Sequence, residues 1–245
     1  MTVSESIRFG TTTINYEVTR SERRKNAAIA VHPDKRVEVV VPTNLNQEDI
    51  QDLVRNKARW VVEKLEWFGQ IDQLETSKEY ANGETFLYLG RQYRLKILYG
   101  GDDKPTAKLK GKYFEVTISK TKSEDTNREL VKDALWQWYH DHAEKKIGEV
   151  IQDYVRKLHI DPSPSFKVKY QKKRWGSCPK NDFLHINVRI IMAPMSQIEY
   201  VVAHELCHLK YKNHSSEFWQ LLRLVMPDYE VRKEALKNDG WKYAL

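Results

Sequence analysis

One run of twenty residues, YVVAHELCHLKYKNHSSEFW at 200–219, constrains this chain more tightly than any other stretch. It holds His204, Glu205 and His208 in the spacing HExxH, with His214 six residues beyond His208. On a helix His204 and His208 lie one turn apart, so both imidazoles leave the same face and can occupy two corners of a tetrahedral metal site. His214 is placed to supply a third ligand, which leaves the fourth position open, as in a catalytic rather than a structural zinc centre. Glu205 then sits beside the ion, where it can take a proton from a water polarised by the metal. A downstream carboxylate, Glu217, Glu230 or Glu234, is the alternative third ligand. The cofactor expected is one Zn²⁺, with another divalent ion compatible with the same donors.

The helix carrying this motif has readable ends. Pro194 blocks an earlier start, and Ser196 with Glu199 three residues on fits a capping box. Ile198, Val201, Val202 and Leu206 supply the apolar anchor. The chain then leaves the helix near residues 211–213, and Ser215 or Ser216 caps a second helix, EFWQLLRLV, that Pro227 stops. Cys207 falls on a flank of the first helix and reads as a small buried side chain.

The remainder of the chain reads as an α+β protein in two regions. Residues 1–122 form a β-rich region: IRFGTTTINYEVTR and NAAIAVHPDKRVEVVVP alternate apolar and polar side chains, as do GETFLYLGRQYRLKILYG and AKLKGKYFEVTISK, with Gly90 and Gly111 at turns. The basic cluster Arg20, Arg23, Arg24 and Lys25 between strand runs reads as a solvated turn. One helix interrupts this region at about 46–70, where Ile50, Val54, Ala58, Val61 and Leu65 share a stripe that Trp60, Trp67 and Phe68 broaden. Residues 71–84 read as a loop.

Residues 123–245 form the second region, a zincin-like core of helices on a small, mostly antiparallel sheet. Thr126 and Glu129 resemble a capping box opening a helix that runs to about Leu158. His140 and His142 on that helix are two residues apart and point to different faces, so they do not chelate one ion. After Pro162 and Pro164, FKVKYQKKRWGSC and FLHINVRIIMAP read as two strands joined at 179–182, leading into the HExxH helix. A strand bordering that helix can pair with the backbone of an extended peptide. Lys167, Lys169, Lys172, Lys173 and Arg174 make the first strand basic, which suits an acidic substrate, a nucleic acid, or an edge protected against aggregation.

Composition adds bounds. With 40% hydrophobic residues the chain can build a core, and a charge of +7 spread over 31% charged residues permits a polyanionic partner without requiring one. Two cysteines are too few for a disulfide framework. No apolar run is long enough to span a membrane and no secretory leader is visible, so a cytoplasmic location is expected.

RWGSC, HINVRIIMAP, HELCHLKYKNHSSEFW and MPDYEVRK together resemble the YgjP-like metallopeptidase family, once a domain of unknown function and related in its core to SprT-like and WLM zinc proteases. RSERRKNAAIAV, NKARWVVEKL and YLGRQYRLKI extend the likeness to the N-terminal half. The resemblance implies a zincin-type core in which His204, His208 and His214 are the metal ligands and Glu205 the catalytic glutamate. The spacing HExxHxxxxxH equals that of metzincins, but Tyr211 stands where those enzymes have glycine, which argues against that assignment. The expected activity is hydrolysis of peptide bonds, with peptide or protein as substrate. Arg174, His185, Tyr211 and Tyr229 are candidates for stabilising the oxyanion, and His185 and Asn187 for substrate or supporting contacts. The alternatives are a nucleic-acid-associated zinc protein and a non-proteolytic metal protein.

Overall fold

In the N-terminal part, alternation between buried and exposed side chains builds a four-stranded sheet. β1 (Thr2–Phe9) and β2 (Thr12–Arg20) pair antiparallel across a turn at Gly10, whose φ of +59° suits glycine. β3 (Ala28–Val31) and β4 (Val37–Val41) pair antiparallel, and β4 lies parallel to β2, giving the order β1-β2-β4-β3. α1 (Gln47–Ser77) begins where the Asn46 side chain accepts from the Asp49 N–H at 2.8 Å. Its Ile50, Val54, Ala58, Val61 and Phe68 share one core with Ile14, Tyr16, Val39 and Val41 of the sheet. The expected loop at 71–84 is helical in its first half because Ile71 continues the buried stripe. Trp60 lies outside that stripe, on the surface. The basic cluster behaves as a turn in which the Arg20 guanidinium donates to the carbonyls of Thr43 and Leu45.

This computed structural model describes residues 2–100, 104–119, 123–179 and 182–244. They fall into two compact units, Met1–Thr76 and Ser77–Leu245. The division thus comes well before the expected boundary at 122/123, and the reason is packing. β5 (Thr85–Tyr88), β6 (Arg91–Tyr99), β7 (Thr106–Lys110) and β8 (Tyr113–Ile118) form a sheet of order β5-β6-β8-β7, and its Phe86, Leu95, Phe114 and Val116 share their core with the long helix α2 (Glu124–Leu158). The β5–β6 turn is also tied to the segment before the HExxH helix, since the N–H groups of Leu89 and Gly90 donate to the carbonyls of Ile191 and Met192 at 3.0 Å. Gly90 has φ of +77°, and a Cβ there would meet Pro194 at 2.8 Å.

α2 is capped by Ser123, whose hydroxyl accepts from the Thr126 N–H, so the cap lies three residues before the expected one. On α2 the two histidines have separate partners: His140 Nε2 meets the Val168 carbonyl, while His142 stacks on Trp138 and its Nδ1 meets the Trp138 carbonyl. A three-stranded sheet follows, β9 (Phe166–Lys169), β10 (Gly176–Ser177) and β11 (Leu184–Asn187), in the order β10-β11-β9. β11 runs parallel to β9 and antiparallel to β10. Both predicted strands are therefore shortened. The first breaks into β9 and β10, and the second gives way at Val188–Met192 to a 3₁₀ helix, because the Asn187 side chain accepts from the Arg189 N–H and turns the backbone. Part of the turn expected at 179–182 lies outside the described residues.

Three helices complete the second unit: α3 (Met195–Lys210), α4 (Ser216–Val225) and α5 (Tyr229–Asp239). α3 starts at the residue after Pro194, and Ser196 lies inside its first turn rather than capping it. The fold class is α+β, as expected. Among the described residues no helix is long and apolar enough to cross a membrane.

Candidate metal centre

α3 is buried along most of its length, and it packs on α2, α5, β10 and β11. That packing fixes the frame from which His204 and His208 project. After Lys210 the chain leaves the helix at Tyr211, and Ser215 stands at the start of α4, so His214 is carried back towards the first two histidines. One ring nitrogen from each of His204, His208 and His214 lies within 4.8 Å of the others. Nε2 of His204 and Nε2 of His214 are 3.0 Å apart. Two neutral imidazole nitrogens this close present lone pairs to one point, a donor set that suits a zinc-like ion. The downstream carboxylates are otherwise engaged: Glu217 with Ser216, Glu230 with Tyr229 and Arg223, and Glu234 with Lys237.

Two of the three histidines, His208 and His214, are oriented from behind, while the buried His204 Nδ1 has no hydrogen-bond partner. His208 Nδ1 lies 2.9 Å from the Tyr211 carbonyl, which assigns the proton to Nδ1 and leaves Nε2 as the donor atom. Phe218 sits against all three rings, at centroid distances of 5.0, 4.6 and 4.9 Å from His204, His208 and His214. His214 stacks on Trp219 (5.4 Å, 22°), and Trp219 stacks in turn on Tyr229 (5.5 Å, 21°). Burial, followed by the neighbouring His208, His214 and Lys233, pushes the His204 imidazole down to about 3, so it stays neutral and available as a ligand. Burial, with His208 and Lys233, lowers His214 in the same direction.

The stack makes Trp219 the support of His214, the most exposed of the three histidines. Trp219→Ala is expected to weaken metal binding by about 10–100-fold, in the range found for residues that orient ligands. Trp219→Phe, which keeps a stacking face, should recover most of it. Competition against a chromophoric chelator measures both.

Glu205 is only 6% exposed, and burial pushes its carboxyl up to about 7 while the charge of Arg174 draws it the other way. Directly over it lies Gly176 of β10, where an added Cβ would stand 2.6 Å from Glu205 Cγ and 2.7 Å from Oε1. Glycine here permits strand and helix to approach so closely.

The expected accessory residues fall into different places. Facing partners across a ladder share a side of the sheet, so Gly176 and Ile186 face α3 while Ser177 and His185 leave the opposite side. His185 thus points away from Glu205, and its imidazole is lowered by burial and by Lys169 and Lys167. Asn187 is 2% exposed, and its amide donates to the carbonyls of Gln171 and Arg174. It braces the loop before β10. Tyr229 gives its ring to Trp219 and its hydroxyl to Glu230. Tyr211 contributes through its carbonyl and keeps its side chain at the surface. Of the basic residues, Lys167 and Lys169 sit on β9, at the far edge from β10, while the charge of Arg174 acts on the Glu205 carboxyl. The sequence reading missed Gly176, Trp219 and Lys233; the only signal for them was their proximity to the motif or, for Gly176, the tight RWGSC run.

An HExxH helix with three converging histidines, a buried glutamate beside them and an edge strand alongside is the arrangement that a metallopeptidase requires. Residues 25–239 match the YgjP-like metallopeptidase domain, and the chain belongs to that family. A 93-residue stretch is 29% identical to an uncharacterised protein of Methanocaldococcus jannaschii, over 36% of this chain and 84% of that one. Two solved structures share a region of this size. The metallopeptidase zymogen abylysin of Pyrococcus abyssi is 18% identical with a TM-score of 0.36, covering 38% of this chain and 92% of that one. The zymogen jannalysin of Methanocaldococcus jannaschii is 25% identical with a TM-score of 0.34, covering 38% and 87%.

Proposed function

We propose that the protein is a zinc-dependent peptidase in which Glu205 is the general base. The convergence of His204, His208 and His214 beside a buried Glu205 is the observation that carries this reading. When bound by the three histidines, zinc supplies Lewis acidity, lowering the pKa of a water and polarising the scissile carbonyl. Glu205 accepts the proton of the attacking water on its carboxylate and passes it to the departing amine nitrogen, so the carboxylate is regenerated in each cycle. Its burial excludes bulk water from that transfer. β10, at the sheet edge and antiparallel to β11, offers its outer backbone to an extended substrate. His208 keeps its donor nitrogen directed at the site through Tyr211, and His214 is held by Trp219.

The test joins elemental analysis of the purified protein to a screen of a broad peptide library. One zinc per chain and cleavage of a subset of peptides are expected. Prolonged chelation should abolish cleavage and stoichiometric zinc should restore it. A zinc-loaded protein that cleaves no member of the library would sink the peptidase reading.

A further inference from the structure

The charges around the metal centre are lopsided. On one side Arg174 stands before β10, near Glu205, in a loop whose backbone is braced by two hydrogen bonds from the buried Asn187 amide. On the α4–α5 side Lys233 holds its ammonium 4.7 Å from the centroid of Trp219, the ring that supports His214. Lys212 lies near the end of β10 but is engaged by Asp182. Neither Arg174 nor Lys233 has a carboxylate within ion-pair distance among the described residues, whereas Arg223, Arg232, Lys237 and Lys242 of the same helical region each do. The nearest carboxylates act on the two cations only from beyond ion-pair distance: Glu205 on Arg174, and Glu230, one turn earlier on α5, on Lys233.

Cations without a close carboxylate beside the metal centre, held there by a braced loop and an aromatic face, are placed for recognition rather than for stabilising the fold. We propose that the site selects acidic peptide segments, with a substrate carboxylate on one side of the scissile bond meeting Arg174 and one on the other side meeting Lys233. This rests on the peptidase reading and adds its substrate class. A peptide gives what the geometry requires: an extended backbone for the β10 edge and carboxylates that alternate along it. A polynucleotide would bring phosphate to the same cations, but its backbone has acceptor oxygens and no N–H donors alternating with them, so it cannot complete a strand ladder.

The test uses quenched fluorescent peptides of one core sequence, flanked on both sides by Glu, Gln or Lys, with the full-length zinc-loaded protein. kcat/KM is expected to fall in the order Glu, Gln, Lys, by about tenfold from first to last at low salt, and the spread should narrow at high salt because exposed pairs are screened. Lys233→Glu should shift the order towards Lys on its own side of the bond, and Arg174→Gln should flatten it on the other. Anisotropy of labelled peptides with zinc-loaded Glu205→Gln protein reads the same preference without turnover. Equal kcat/KM and equal binding for the three peptides would overturn the proposal and leave the peptidase reading intact. Cleavage of none of them, nor of a wider library, would overturn both. Binding of a labelled single-stranded oligonucleotide more tightly than the Glu-flanked peptide would also overturn it, in favour of nucleic acid.

Discussion

Glu205→Gln should lower kcat by about 10²–10⁴-fold, the range supplied by a positioned general base, while the protein keeps its metal. Glutamine has the shape of glutamate, so it fits beneath Gly176 without new contacts. What it lacks is the capacity to accept a proton from water. None of the three histidine donors changes, so zinc content per chain, read by elemental analysis, should match wild type. If metal and activity vanished together, Glu205 would be structural and the general-base assignment would fail. The pH dependence follows from the same carboxyl. Burial holds it up to about 7 in the absence of an ion. A divalent cation beside it favours the ionised form and moves the value down. Because the base works only when ionised, kcat/KM should decline on the acid side, and the midpoint for the zinc-loaded enzyme should lie below 7. In the metal-free protein, NMR of the labelled Glu205 carboxyl should place its titration higher than in the loaded one.

The site was legible from sequence where chemistry is periodic. His204 and His208 are joined by helix geometry alone, and the apolar stripe of Ile198, Val202 and Leu206 fixes which face they leave. His214 was within reach because serines at the start of the next helix mark where the chain turns back. Asn187 illustrates the opposite case. Alternation on a strand gave it a place beside His185, but the carbonyls it satisfies belong to Gln171 and Arg174, sixteen and thirteen residues away. No local pattern encodes such a bond. The early division of the chain escaped for a related reason: the strand pattern of residues 85–118 says that a sheet forms and not which helix covers it. Stacking of His214, Trp219 and Tyr229 likewise depends on how α4 and α5 meet, which the spacing of aromatic residues leaves open.

Gly176→Ala is expected to reduce kcat/KM by about 10²-fold, the order of loss that follows a displacement of about 1 Å at a reacting group. Gly176 is in a strand and does not have a positive φ, unlike Gly90, so alanine is not excluded by its own backbone. The obstacle is the neighbour. An added methyl would lie 2.6, 2.7 and 2.9 Å from Cγ, Oε1 and Cδ of Glu205, distances at which atoms must move apart. Glu205 projects from α3 and is buried where that helix packs on β10, so relief comes either from swinging the carboxylate away from the metal or from lifting β10 off the helix. Either movement separates the base from the ion or the substrate edge from the base. The cost in stability should be only the ~1–3 kcal/mol of a locally overpacked contact, so a melting curve will show a folded protein with impaired turnover. Ser177→Ala, on the face of β10 that turns away from α3, is the control and should leave the rate close to wild type. Pairing Gly176→Ala with Glu205→Asp, which withdraws the carboxylate by one methylene, should restore the melting temperature without restoring the rate. A Gly176→Ala protein with full activity would mean that β10 stands free of Glu205, and the coupling of substrate edge to catalytic base would have to be abandoned.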